Sequence, residues 1–151
     1  MKNLFDTASV QVIKHRISQL RPESQRLWGS MTVAQTLAHC TSGLEMAMGV
    51  VKPKRAPFPA DLLGRIIKPL FFRINIPMPR NAGSLPELLS THPNDFELER
   101  SRLIVTIDNF VTQSAVPPTE NPHPYFGHLR PQQWAILMYT HADHHLRQFG
   151  V

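Results

Sequence analysis

Three histidines within five residues are the part of this sequence most suited to metal chemistry. The run HADHH occupies positions 141–145, and the sequence contains eight histidines in all. On an α-helix, side chains four residues apart share a face, with Cβ atoms about 5–6 Å apart. His141 and His145 have this spacing, so both imidazoles can reach one metal ion at about 2.0–2.1 Å. The pattern predicts two metal ligands on one helix.

Helical spacing alone leaves two choices for the second of these ligands. One ridge of the helix contains Trp134, Met138, His141, His145 and Phe149, and a competing ridge contains Leu137, His141, His144 and Gln148. Because His141 belongs to both ridges, the spacing selects it. His144 and His145 remain alternatives.

The cluster lacks the HExxH pattern of zinc proteases. Ala142 follows His141 at the position where that chemistry requires a glutamate as general base. Asp143 cannot replace it, because two residues along a helix turn a side chain by about 200°. The sequence therefore argues against a protease.

A third candidate ligand, His39, lies in the run MTVAQTLAH at positions 31–39. By helical-wheel arithmetic, His39 is about 120° away from the apolar stripe that contains Leu37 and Leu44. A second buried side of this helix, including Gln35, would be needed to bring His39 to the centre of the fold. Periodicity does not settle whether His39 faces inward.

Cys40 is the only cysteine, which excludes an internal disulfide bond and any site with several thiolates from one chain. It lies on the same stripe as Leu37 and Leu44, and its side chain points about 100° away from that of His39. We expect Cys40 to be a small core residue. Histidine must then supply any metal site.

Prolines divide the rest of the chain into helical segments. Of the 14 prolines, eight lie between Pro53 and Pro93 and five between Pro117 and Pro131. Because proline breaks helices, the intervening stretches with apolar residues at helical spacing predict four long helices. These predicted helices cover residues 8–20, 32–49, 95–113 and 131–149. Thr32 and Gln35 have the spacing of a capping box at the start of the second helix.

Four helices of this length predict an all-α fold, a four-helix bundle that forms one domain over residues 1–151. The connection at residues 50–94 is too long for a hairpin. We expect it to cross the bundle and to carry a short helix near residues 60–72.

The charge is concentrated in that crossover. The chain has 16 Lys and Arg against 11 Asp and Glu, a net charge of +5, and hydrophobic residues make up 42% of it, which excludes a disordered polymer. Between Lys52 and Arg80, seven cations face one carboxylate, a local net charge of +6. A basic amphipathic helix at a membrane surface is one interpretation. We expect instead a flap whose apolar side covers the bundle, because Pro69 interrupts a long surface helix.

No signal peptide or transmembrane run is visible in the sequence. The expected location is therefore cytoplasmic, without stable membrane insertion. The charge falls short of the pattern typical of nucleic-acid binding, so we expect no nucleic-acid partner.

The histidine-containing segments resemble two helices of a known superfamily. The run MTVAQTLAH at positions 31–39 resembles the second helix of the DinB/YfiT-like metalloenzymes, and HADHHLRQ at positions 141–148 resembles their last helix. The run HPYFGHL at positions 123–129, the later Trp134 and the ending RQFG resemble an uncharacterised bacterial branch of that group. The resemblance covers most of the bundle but not the proline-rich crossover.

The resemblance implies an up-down-down-up four-helix bundle with a long crossover and a divalent metal held by His39, His141 and His145. The segment that follows the last ligand favours His145 over His144. Three histidines suit zinc, nickel and iron alike, so coordination chemistry does not identify the metal.

Similar proteins include thiol-dependent S-transferases and isomerases, and others suspected to be hydrolases. The resemblance therefore implies a metal-dependent enzyme that activates a low-molecular-weight thiol against an electrophile. The alternatives are a metal-dependent hydrolase and a non-catalytic bundle that binds a metal or ligand. A homodimer is compatible with either class.

Other side chains are candidates for the pocket around the metal, although the sequence assigns no separate catalytic residue. The candidate pocket residues are Gln35, His128, Trp134, Met138, Tyr139 and His144. His92 and His123 lie in proline-rich loops, where we expect solvated side chains.

Overall fold

The computed structural model describes residues 1–74, 76–89, 95–112 and 122–151. The regular structure in these ranges is helical, with the elements α1 Thr7–Gln19, α2 Val33–Ala47, α3 Ala60–Ile74, a 3-10 turn at Pro86–Leu88, α4 Phe96–Thr112 and α5 Pro131–Gln148. The described ranges contain no strand, and one isolated antiparallel bridge joins His123 to Gly127. The predicted all-α class is confirmed, and each predicted helix begins and ends close to its observed bounds.

The capping box predicted for α2 is confirmed. Thr32 Oγ1 accepts a hydrogen bond from the Gln35 backbone N–H at 3.2 Å, and Gln35 Oε1 accepts one from the Thr32 N–H at 2.9 Å. The pair satisfies N–H groups that the first helical turn leaves without partners.

α2 is the central helix of the described chain. It packs against both α4 and α5, while α1 packs against α5 and α4. Twelve of the 15 residues of α2 are buried, so this helix has almost no solvent-facing side. This burial places His39 inside, although it lies away from the stripe of Leu37 and Leu44. Cys40 is buried in the same core, as predicted.

α3 contradicts the predicted flap. Only Asp61 and Phe71 are buried on this helix. The exposed aliphatic residues of α3 are Leu62, Leu63, Ile66, Ile67, Leu70 and Ile74. The prediction that the apolar side of the crossover helix covers the bundle is therefore wrong.

The side of α3 that faces the rest of the chain explains this orientation. Gly64 approaches the loop before α5 so closely that a Cβ atom there would lie 2.6 Å from the carbonyl oxygen of Tyr125. Further along α3, the Phe71 ring packs against Phe126 with centroids 5.3 Å apart. The contacts of Gly64 and Phe71 hold one side of the helix against the loop before α5, so the aliphatic side faces solvent.

Within the described ranges, no helix combines the length and the hydropathy needed to cross a lipid bilayer.

Candidate metal centre

His39 from α2 and His141 and His145 from α5 meet in the interior. One ring nitrogen from each residue lies within 4.8 Å of the other two, and the Nε2 atoms of His39 and His141 are 2.9 Å apart. Two nitrogen ligands on a tetrahedral metal with bonds of about 2.1 Å are about 3.4 Å apart. The three side chains thus have nearly the spacing that one metal ion requires.

Gly43 makes room for the His141 ring where α2 and α5 approach each other. A Cβ atom on Gly43 would lie 3.2 Å from both Cε1 and Nδ1 of His141, and 3.9 Å from Met138 Sδ. Gly43 was not among the predicted site residues. Its signal is a glycine in mid-helix, four residues after His39 and on the same face, where glycine costs about 1 kcal/mol relative to alanine.

The first outer contact of the cluster comes from the crossover. His39 Nδ1 lies 3.1 Å from the carbonyl oxygen of Leu88 in the 3-10 turn. Because a carbonyl oxygen only accepts, we assign the ring proton to Nδ1, which leaves the Nε2 lone pair directed at the cluster. A backbone partner of this kind fixes the tautomer and the orientation of a metal-binding histidine.

The second outer contact runs through Gln148. Its Nε2 donates to the Trp28 carbonyl oxygen at 2.8 Å, and its Oε1 lies 3.0 Å from His145 Nδ1. Since the Trp28 bond uses the amide nitrogen, the amide oxygen is left to accept from His145 Nδ1. The His145 Nε2 lone pair is therefore also free.

Burial favours the neutral form of all three imidazoles. It lowers the pKa of His145 to about 3 and also lowers the pKa of His39. The pKa of His141 is well below its ordinary value, because of burial and then of the neighbouring imidazoles. Metal ions bind unprotonated imidazole, so a buried cluster of this kind does not have to lose protons first. His141 is half-buried, whereas His39 and His145 are buried.

His144 lies beside the cluster. It is partly exposed, and its ring makes edge contacts with Trp28 at 6.0 Å and His145 at 5.1 Å between centroids. It does not belong to the group of three converging nitrogens.

The remaining predicted pocket residues are dispersed. Three of them are buried in α5, namely Trp134, Met138 and Tyr139. Of these three, only Met138 lies near Gly43, where α2 and α5 approach each other. Gln35 uses its side chain to cap α2. His128 is exposed, and its carbonyl oxygen accepts a hydrogen bond from Lys68. The contacts of Gln35 and His128 thus lie away from the three-histidine cluster.

The prediction that His123 is solvated is wrong. Its Nδ1 accepts hydrogen bonds from the backbone N–H groups of Tyr125 and Phe126, each at 3.2 Å. Its ring stacks on Phe126 with centroids 4.9 Å apart and contacts Trp134 at 5.5 Å. Burial lowers the pKa of His123 to about 3. The second histidine predicted to be solvated, His92, lies outside the described residues.

The burial of Cys40 favours its thiol over its thiolate. Burial raises the pKa of its thiol to about 12, whereas the thiolate is the form that reacts and binds metals.

The chain has no significant match among curated proteins or solved structures. The family model that matches it, described as a protein of unknown function, covers residues 3–150, which is nearly the whole chain. The chain therefore belongs to the DUF1569 family of proteins of unknown function.

Proposed function

We propose that this protein is a metal-dependent enzyme whose divalent ion is held by His39, His141 and His145. The observation that carries the proposal is the convergence of three imidazoles, with one nitrogen of each within 4.8 Å of the others. His39 and His145 each have a hydrogen-bond partner on Nδ1, the Leu88 carbonyl and the Gln148 amide oxygen respectively. These partners leave the Nε2 atoms without a proton. This donor set fits zinc, nickel or iron.

We further propose a DinB/YfiT-like architecture, in which α1, α2, α4 and α5 form an up-down-down-up four-helix bundle. The packing of α2 on α4 and α5, and of α1 on the same two helices, supports this arrangement. The crossover between α2 and α4 then contains α3 and the 3-10 turn that carries Leu88.

The proposed activity is the transfer of a low-molecular-weight thiol to an electrophile. His39, His141 and His145 would hold a divalent ion through three nitrogens and leave room for a substrate atom. Such an ion would favour the deprotonated form of a thiol or water near neutral pH. His39 and His145 are held in position by their Nδ1 partners, and Gly43 leaves the His141 ring its space. We expect a small substrate to approach from the side of His141, the one of the three histidines that is not fully buried.

In this reaction the thiol sulfur forms a bond to the electrophilic carbon. The leaving group departs with its bonding electron pair, and the thiol proton passes to solvent.

The test is a turnover assay on protein purified without a metal-affinity column. The protein is loaded in turn with zinc, nickel and iron(II), then incubated with a panel of small thiols and electrophiles while the loss of free thiol is measured. We expect turnover that requires both metal and thiol, that is abolished in His39→Ala and that is retained in His144→Ala.

Two outcomes would contradict this assignment. Metal-dependent hydrolysis of esters or amides without any consumption of thiol would identify a hydrolase. Absence of turnover with every metal, in protein that binds the metal, would identify a non-catalytic binding protein.

A further inference from the structure

α3 presents an apolar surface that no described residue covers. Six aliphatic side chains form this surface, which we call the α3 apolar face: Leu62, Leu63, Ile66, Ile67, Leu70 and Ile74. Their exposed fractions range from 37% for Ile67 to 66% for Ile66. By helical-wheel arithmetic, all six fall within an arc of about 140°, which also contains Arg73 in the last turn of the helix.

The α3 apolar face differs from the other exposed apolar residues of the chain. α1 exposes Val12, and α4 exposes Leu98 and Val105. Leu98 and Val105 are seven positions apart on α4, with Ser101 and Arg102 between them on the same helix face. Isolated exposed apolar side chains are ordinary, whereas a continuous apolar patch on a folded protein indicates an interaction surface.

The contacts beneath α3 hold the helix with this face outward. The backbone at Gly64 lies against Tyr125, and the rings of Phe71 and Phe72 pack on Phe126 with centroids 5.3 and 5.8 Å away. Because the helix is already formed and oriented, a partner does not have to order it on binding.

The charges around the α3 apolar face are positive. Arg65 and Arg73 are exposed on the same helix. The one carboxylate between residues 52 and 80, Asp61, is buried and paired with Arg55. The segment therefore presents cations and little negative charge to a partner.

We propose that α3 binds the surface of an anionic lipid bilayer. The α3 apolar face would lie at the boundary between headgroups and acyl chains, with Arg65 and Arg73 near the lipid phosphates. The helix has 15 residues, a length of about 22 Å, which suits a helix lying in the plane of the bilayer surface.

The charge distribution favours lipid over a second copy of the chain. Two copies that met through this face would bring the exposed Arg65 and Arg73 of one copy close to those of the other, and like charges at an interface repel. An anionic surface is attracted by the same cations.

The experiment is co-sedimentation of the full-length protein with vesicles of phosphatidylcholine, with or without phosphatidylglycerol. We expect binding to the anionic vesicles that weakens as salt is raised. Ile66→Glu should reduce this binding by about tenfold or more, because it removes one of the side chains that would be buried. The matched control is Val105→Glu, which adds the same charge at an exposed apolar position on α4 and should bind nearly as the wild type does.

A second pair of variants tests the charges. Arg73→Gln should weaken binding to anionic vesicles by about fivefold. Arg21→Gln, which makes the same change at an exposed position before α2, should have a much smaller effect. Leu63→Gln makes the α3 apolar face more polar without adding a charge, and it should also weaken vesicle binding. Circular dichroism checks that each variant is folded.

Equal vesicle binding by Ile66→Glu and Val105→Glu would overturn the proposal. So would failure of the wild type to bind anionic vesicles. If light scattering then shows a wild-type dimer that Ile66→Glu converts to a monomer, the α3 apolar face pairs with a second copy of the chain instead.

Discussion

At the scale of single residues, Gln148 connects one proposed ligand to a distant loop. Its amide accepts from His145 Nδ1 at 3.0 Å and donates to the Trp28 carbonyl oxygen at 2.8 Å. Partners of this kind hold a ligand in the orientation and tautomer that metal binding needs. Gln148 was placed on a helical ridge by the sequence, but nothing in the spacing indicated this role.

We expect Gln148→Ala to weaken zinc binding by about 10- to 100-fold, because His145 loses its partner. Gln148→Glu keeps an acceptor for His145 Nδ1 and should bind zinc more tightly than the alanine variant. Competition with a chromogenic chelator measures both affinities. Gln132→Ala, an exposed change on the same helix, is the control, and an unchanged affinity in Gln148→Ala would contradict the assigned role.

His123 gives the metal-free protein a pH-dependent stability. Its pKa is lowered by burial from 6.5 to about 3 in the folded state. Between these values the unfolded chain binds a proton that the folded chain does not, so stability falls as pH falls through this window. The buried histidines of the cluster act in the same direction.

His123→Asn isolates this contribution, because Asn Oδ1 can still accept from the Tyr125 and Phe126 N–H groups. Between pH 7 and pH 5 the unfolding free energy of the wild type falls. We expect a smaller fall in His123→Asn, because unfolding of the variant takes up about one proton fewer at most. Urea denaturation at the two pH values measures it, with exposed His15→Asn as the control. An identical pH dependence in His123→Asn and the wild type would refute the explanation.

The sequence could identify the chemistry of these residues better than their surroundings. Spacing selected His141 but kept both His144 and His145 as candidates, and the resemblance strengthened the choice of His145. His123 was predicted to be solvated because its proline-rich context suggested an open loop, whereas its ring packs against both Phe126 and Trp134. Contacts between residues far apart in the sequence decide such burial, and a single sequence does not contain them.

At the scale of helices, the close approach of α2 and α5 at Gly43 determines where the His141 ring lies. We expect Gly43→Ala to lower the zinc affinity by about tenfold, since the new Cβ meets the ring at 3.2 Å and must displace it. Gly83→Ala is the matched control, because a Cβ at Gly83 meets nothing within 4 Å. Equal affinities in the two variants, measured by chelator competition, would show that this contact does not position the ligand.

Local signals explain why the helices were predicted well. Prolines marked the ends of helical segments, and the Thr32 and Gln35 pair marked the start of α2. The inward or outward orientation of each helix was predicted less well. A helical wheel assumes one buried face, but α2 is buried on nearly all sides and α3 presents its aliphatic side to solvent.

At the scale of the whole molecule, the proposed site joins remote parts of the chain. Leu88 in the crossover holds His39, and Trp28 before α2 is bonded to Gln148. A metal that binds only the folded protein stabilises all of these segments together.

We therefore expect zinc to stabilise the metal-free protein by about 2.7 kcal/mol when free zinc is 100 times its dissociation constant. Thermal unfolding measured with and without zinc, and again after a chelator is added, tests this expectation. The stabilisation should be absent in His39→Ala. An equal shift in that variant would mean that zinc acts at another site.

The most direct test of the three-histidine site is the metal content of the purified protein. Each protein is prepared without a metal-affinity column, loaded with zinc, freed of excess ion by gel filtration and submitted to elemental analysis. We predict about one zinc per chain in the wild type and in His144→Ala, and almost none in His39→Ala and His145→Ala. Unchanged zinc in the last two variants, or its loss in His144→Ala but not in His145→Ala, would contradict the site.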